Sequence, residues 1–344
     1  MKAVVVERHG GPEVLSYQDA EDPRPRADEV VVEVRACSVN HLDVWARRGL
    51  PGVKIPLPLI PGNDVAGVVR EVGSLVDWLE PGAEVVVAPG TSCNRCEACA
   101  AGDDNRCRRY RVLGYLVNGG YAQRVAVPAR NCLPKPERLS WPEAASMPLV
   151  FLTAWHMLVT KVDVRPGEDV VVLAAGSGVG IAAVQIAKLL GARVLATAST
   201  EEKLARAREL GADETIRYTE VDWASEVRRL TGKKGADVIF EHTGESTWES
   251  SILAAANGGR IVTCGATSGH EGRTDLRHLF ARQIRIIGSY MGRRAELFEI
   301  FRWVERGRLK PVVHRVLPLT QAPEAHRALE NREAFGKIVL EPEH

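Results

Sequence analysis

Four cysteines fall within fifteen residues: Cys93, Cys96, Cys99 and Cys107. Four thiolates at the spacing C-x2-C-x2-C-x7-C make a closed tetrahedral zinc site. A closed site leaves no position for a substrate, so the expectation is one structural zinc per chain. Two disulfides are the first alternative. The chain has 7 cysteines, an odd number, and no signal peptide precedes Met1, so a reducing, cytoplasmic setting is expected instead. An iron–sulfur cluster is the second alternative. The Cys-Pro that usually follows such a cysteine run three residues on is absent here.

A second constellation points to a nucleotide. The run Asp169–Ala174 reads as a strand, and Val179–Leu190 as an amphipathic helix. Between them stands Ala175-Gly176-Ser177-Gly178-Val179-Gly180. Small residues let the backbone approach a pyrophosphate, and a helix N-terminus offers free N–H groups and the positive end of its dipole. The third glycine comes one residue earlier than in G-x-G-x-x-G, but the strand–turn–helix setting is the confirming context. Gly176, Ser177, Gly178 and Val179 are therefore candidate cofactor contacts; a tight turn without a ligand is the alternative. At the end of the next strand an acid would bind a ribose 2′-hydroxyl. Here the sequence reads Ala198-Ser199-Thr200, with Lys203 one helical turn on. Ser199 and Lys203 suit a 2′-phosphate, so NADP(H) is favoured over NAD(H). The same residues also suit a helix cap and a solvated surface lysine.

These residues need two kinds of scaffold. The first 148 residues are rich in β-branched runs such as Met1–Glu7, Glu29–Ala36, Ala66–Val72 and Ala83–Ala88, separated by turn signals. They read as a barrel-like β domain, with a cysteine lobe at about residues 90–110. From 149 to 290, strands and helices alternate, which gives a parallel sheet of about six strands. Residues 291–344 hold an amphipathic helix near Ala295–Arg306 and strand-like runs at Val312–Leu317 and Lys337–Leu340. They are expected to rejoin the first domain. Net charge is +1, from 45 Lys+Arg against 44 Asp+Glu, so nothing calls for a nucleic-acid or membrane partner. A small-molecule substrate is expected.

Over nearly its whole length the chain resembles the medium-chain dehydrogenase/reductase superfamily, which includes zinc alcohol dehydrogenases and quinone oxidoreductases. The likeness is carried by Pro61–Gly73 against the family's G-H-E-x-x-G-x-V signature, by Ala175–Gly180 with Gln185–Lys188, and by the four cysteines. It implies an α/β protein with a GroES-like catalytic domain around a Rossmann domain, and a homodimer or homotetramer. It also implies that Lys203 and Tyr218 lie at the 2′-phosphate, Thr153 near the nicotinamide, and Cys264-Gly265-Ala266 at a ligand-binding strand end.

The family's catalytic zinc does not carry over. Asn40 stands where the family has its cysteine, Leu42 where it has the relay hydroxyl, Asn63 and Asp64 where it has His-Glu, and Leu149 near its third ligand. Carboxamides are poor zinc ligands and leucine is none. Without that Lewis acid, a conjugated carbonyl or quinone is the easier target, since donors can stabilise the enolate oxygen. Asn40 is the first candidate donor and His41 the second, each with an alternative as an ordinary loop residue. A zinc-type alcohol dehydrogenase is the second functional reading. A nucleotide-binding protein without activity, of the kind seen in lens crystallins, is the third. Whether His41, Asp43 and Asp64 build a different metal site is left open.

Overall fold

The computed structural model describes residues 1–343. The chain forms two compact units, Met1–Leu149 together with the segment from Arg293 onward, and Val150–Gly292. In chain order the first unit opens with strands β1 (Lys2–Val6), β2 (Leu15–Asp19) and β3 (Glu29–Ser38). Helix α1 (His41–Arg48) follows, then β4 (Asp64–Val72), β5 (Glu84–Val87), β6 (Arg124–Pro128) and β7 (Cys132–Pro134). Helix α2 (Pro148–Trp155) precedes the second unit's sheet, which holds β8 (Asp169–Val172), β9 (Arg193–Ala198), β10 (Glu214–Arg217), β11 (Ala236–Glu241), β12 (Ala255–Thr263) and β13 (Arg285–Gly288). Its helices include α3 (Gly178–Leu189) and α4 (Glu201–Glu209). The returning segment supplies α5 (Arg294–Glu305), β14 (Val313–Pro318), α6 (Ala322–Glu330) and β15 (Lys337–Glu341).

The second unit is a six-stranded parallel sheet in the order β10-β9-β8-β11-β12-β13. Its central strands are almost wholly buried Val, Ile, Leu and Ala, as a sheet covered on both faces demands. Ahead of the sheet, Pro148–Trp155 is α-helical and continues into a π-helical turn at His156–Lys161. Tyr218 directly follows Arg217, the last residue of β10.

The first unit is built on a seven-stranded sheet in the order β14-β15-β3-β4-β5-β7, with β6 also paired to β3. Register decides what meets at one end of it. Ser38 lies opposite Asp64 across β3 and β4, and Val339 lies opposite Ser38 across β15 and β3. The start of β15, where Lys337 sits, is thereby set beside the chain leaving β3 at Asn40. A chain segment from near residue 340 thus completes a layer begun before residue 40.

A buried polar clamp ties α1 to α6. Arg47, fully buried, bonds Glu330 at 2.7 Å and reaches His326 Nδ1 at 3.1 Å. A guanidinium only donates, so Nδ1 must accept and the proton sits on Nε2. That N–H then donates to the Tyr121 hydroxyl at 3.1 Å. Burial, reinforced by the Arg47 charge, pushes His326 down to about 3.

Because the folded value lies below the ordinary His value near 6.5, this histidine's contribution is fully present above pH 6.5 and is lost as pH falls towards 3. The sensitivity reaches about 1.4 kcal/mol per pH unit. Urea melts at pH 7.5 and pH 5 are expected to show wild type losing about 2 kcal/mol more than His326→Gln. Parallel losses in the two proteins would contradict this assignment.

Candidate active site, zinc lobe and nucleotide cradle

The four cysteines come together. Cys93, Cys96, Cys99 and Cys107 offer sulfur atoms that all lie within 4.8 Å of one another. Cys93 Sγ is 4.0 Å from Cys99 Sγ, and Cys96 Sγ is 3.5 Å from it. A tetrahedron with Zn–S bonds of about 2.3 Å has edges of about 3.8 Å, so the cage has the size of that ion. Backbone N–H groups of Cys93 and Arg109 donate to Cys107 Sγ at 3.5 and 3.4 Å, stabilising thiolate charge. The Arg95 backbone N–H leads the interactions that hold Cys93 down to about 6. The residues present fit a zinc ion. His41, Asp43 and Asp64 do not form a second metal site. Among the described residues, the cysteine cluster is the one group of three or more His, Cys, Asp or Glu side chains placed to share an ion.

The catalytic candidates sit at the β3–β4–β15 end of the first sheet. Asp64 has no exposed surface, and both of its oxygens accept hydrogen bonds. Oδ1 accepts from the Leu149 backbone N–H at 2.7 Å. Oδ2 accepts from Ser38 Oγ at 3.0 Å and Asn40 Nδ2 at 2.9 Å, and lies 3.4 Å from Lys337 Nζ. Lys337 Nζ also donates to the Val39 carbonyl at 2.9 Å and, in its shortest contact, to Asn40 Oδ1. Burial pulls Lys337 down, against the pull of Asp64 and Asp43 upward.

Asn40 is 5% exposed and stands at the N-cap of α1. Its backbone N–H donates to Asp43 Oδ2 at 2.8 Å, while Asp43 Oδ1 accepts from Gly62 N at 2.8 Å. Desolvation pushes Asp43 up to about 7, against those two donors. Asp43 thus positions its neighbours. His41 opens α1, half-buried and engaged in an interaction of its own. Asn63 donates from Nδ2 to the Leu113 carbonyl at 2.5 Å, and its Oδ1 is buried without a donor.

Tested as a catalytic zinc site, this donor set does not fit. Asn40 Oδ1 is bound to an ammonium, Asp64 is saturated by donors, and Leu149 offers a backbone N–H that itself donates. Bringing a dication beside the Lys337 ammonium adds like-charge repulsion. Lys337 was not foreseen from sequence, because 297 positions separate it from Asn40 and no spacing rule spans that gap.

In the second unit the turn after β8 leads directly into the N-terminus of α3. Ser177 caps α3, its hydroxyl accepting from Gly180 N at 3.0 Å. A side chain at Gly180 would meet the Ala174 carbonyl at 2.4 Å, so glycine there lets helix and strand approach. Gly176 is buried beneath the turn, while Ser177, Gly178 and Val179 are half-buried at its tip. Thr153 is buried in α2. Thr200 caps α4 by accepting from Lys203 N, which leaves the Lys203 ammonium on a half-buried residue of the first turn. The Ser199 carbonyl accepts from Arg217 Nε at 3.4 Å, so a second cation, absent from the sequence reading, lies at the end of β9. Tyr218 beside it is exposed. Gly265 packs close under the His242 carbonyl, where a Cβ would come within 2.8 Å. Burial pushes the neighbouring Cys264 thiol up to about 12, which suits a packed thiol and not a nucleophile.

A β-rich unit with a four-cysteine lobe and a parallel dinucleotide-type sheet define the medium-chain dehydrogenase/reductase class. Residues 26–137 match the model of the alcohol dehydrogenase GroES-like domain, and residues 178–306 that of the zinc-binding dehydrogenases. The chain is 33% identical to an NAD-dependent alcohol dehydrogenase of Sulfurisphaera tokodaii, covering 99% of this chain and 100% of that one. It is 30% identical to a human quinone oxidoreductase, covering 99% and 97%. A crystal structure of an NAD-dependent alcohol dehydrogenase superposes with a TM-score of 0.96 at 56% identity, covering 99% of both chains. The chain belongs to the medium-chain dehydrogenase/reductase superfamily and is an oxidoreductase.

Zinc analysis of the purified protein is expected to give one ion per chain. Cys107→Ser is expected to lose it and to lower the melting temperature, as removal of a structural ion should. Two ions per chain, or a Cys107→Ser protein as stable as wild type, would contradict the structural reading.

Proposed function

We propose that the protein is an NADPH-dependent reductase of a small molecule bearing an activated double bond or a quinone, with zinc in a structural role only. The observation that carries this reading is the filling of the family's metal-ligand positions by Asn40, Asn63 and Leu149, with Asp64 saturated beside them. When bound, the reduced nicotinamide supplies hydride. Gly176, Ser177, Gly178 and Val179 would hold its pyrophosphate against the N-terminus of α3, with Thr153 and Gly265 beside the nicotinamide half. Asn40 would donate an amide N–H to the oxygen that gains charge as hydride reaches the β-carbon, and His41, one residue on, would add a second donor. A proton from solvent then completes the saturated product.

The preference for NADPH is supported by the absence of an acid at Ala198-Ser199-Thr200 and by Ser199, Lys203, Tyr218 and Arg217, the last also paired with Glu220 at 2.6 Å. A second reading, an NAD-dependent alcohol dehydrogenase, is favoured by the names of two of the similar proteins above. A panel of quinones, enones, enoyl thioesters and alcohols with both cofactors separates them. Enone or quinone reduction with NADPH is expected, and Lys203→Ala is expected to raise KM for NADPH on the order of tenfold while leaving NADH unchanged. Chelator-sensitive alcohol oxidation as the main activity would refute the first reading.

A homodimer or homotetramer is proposed on a feature of the second unit. Strand β13 is the sheet's edge, and Ile286 on it is exposed. Leu276 and Phe280 in the preceding helix are 65% and 71% exposed. An apolar open edge is suited to pairing with a second copy. Light scattering is expected to show Phe280→Glu/Ile286→Lys at half the wild-type mass or less; an unchanged mass would remove this edge from the assembly. We also propose a cytoplasmic location, in keeping with seven cysteines of which none is paired in a disulfide.

A further inference from the structure

The arrangement of Lys337 is more specific than charge balance requires. A lysine needed only to neutralise Asp64 would place its ammonium on that carboxylate. Here Nζ is 3.4 Å from Asp64 Oδ2, yet 2.9 Å from the Val39 carbonyl and closer still to Asn40 Oδ1. The ammonium is seated on the amide. The Asn40 amide is in turn bonded at both ends, Oδ1 accepting from Lys337 and one Nδ2 proton given to Asp64 at 2.9 Å. A primary amide carries two N–H protons, so one remains. Density drawn towards Oδ1 by a cation makes that remaining N–H a stronger donor, as in any polarised hydrogen-bond chain. The bonds at both ends also fix the side-chain rotamer, so the donor is aimed before a ligand arrives.

We propose that Lys337 is the positioning residue that takes over the electrostatic task of the missing metal, polarising and orienting the Asn40 amide towards the substrate oxygen. This rests on the reductase reading above. Lys337 exchanges no proton and forms no bond with substrate. When bound, the reduced nicotinamide would supply the hydride; the Asn40 N–H would stabilise the oxygen that gains charge, and solvent would supply the proton to the α-carbon.

The experiment compares wild type, Lys337→Met and the double variant Lys337→Met/Asp64→Asn in enone and quinone reduction. Thermal melts and NADPH titrations accompany the kinetics. The single variant leaves a buried carboxylate unpaired and is expected to be less stable. The double variant removes both charges and is expected to regain stability. In it, kcat should stay low, on the order of a hundredfold below wild type, the scale for weakening one oxyanion donor. KM for the acceptor and the Kd of NADPH should change little, and the isotope effect with NADPH deuterated at the transferred position should rise. If kcat recovers with stability in the double variant, Lys337 serves only to balance Asp64 and the inference falls. A low kcat with an unchanged isotope effect overturns it as well. Wild-type protein inert towards every enone and quinone overturns the reductase reading, and the inference with it, which distinguishes that failure from the other two.

Discussion

The structure of the first unit turns on one carboxylate that has no access to water. Asp64 is fully buried, and a buried carboxylate without donors would cost several kcal/mol. Four groups meet that demand: a hydroxyl from β3, a carboxamide at the start of α1, a backbone N–H at Leu149 and an ammonium from β15. Each comes from a different element, so the carboxylate constrains all of them together. Sheet register, the entry of α1 and the start of α2 have to agree for its lone pairs to be filled. Removing one donor leaves charge exposed to a medium of low dielectric, and every other placement is disturbed. The neighbouring clamp of Arg47, His326, Tyr121 and Glu330 works by the same rule, with a neutral imidazole passing the donor–acceptor order along.

The two units hold their charged and polar groups for different ends. In the cysteine lobe, thiolates are gathered at spacings an ion can satisfy, and Cys93 is partly prepared for ionisation. In the Asp64 cluster, lone pairs are already spent on protons from within the chain. Asp64 is buried and met by an ammonium, whereas three of the four cysteines are only half-buried and their spacing suits an ion. That is why a family likeness to zinc enzymes carries over to the lobe and not to the catalytic position.

Much of the scaffold was legible in the residues. Val-rich runs such as Glu29–Ala36 and Asp169–Ala174 have one stable use, as strands of buried sheets, and the glycine string after β8 lies at a strand–helix turn. The cysteines declared themselves because a metal site of this kind is local in sequence. Two things were not legible. The π-helical turn at His156–Lys161 interrupts a continuous apolar pattern, where hydrophobic periodicity distinguishes poorly between helical forms. Lys337 and Arg217 became visible only with the fold, since their partners Asn40 and Ser199 are brought to them by strand order and not by spacing. The substitutions at Asn40, Asn63 and Leu149 told what was lost from the site, and nothing local told what replaced it.

The position of β15 in the sheet also has a consequence in time. The first unit's sheet cannot close, nor Asp64 and Asn40 find their ammonium, until Lys337 has been added to a chain that already carries the whole second unit. Chains made from the N-terminus fold as segments become available, and distant pairings wait. The nucleotide-binding unit, Val150–Gly292, is contiguous and is free to fold first. The Asp64 end of the first sheet is therefore the last part to acquire its charge balance during synthesis, and a nascent chain that has not reached Lys337 leaves Asp64 without its counterion.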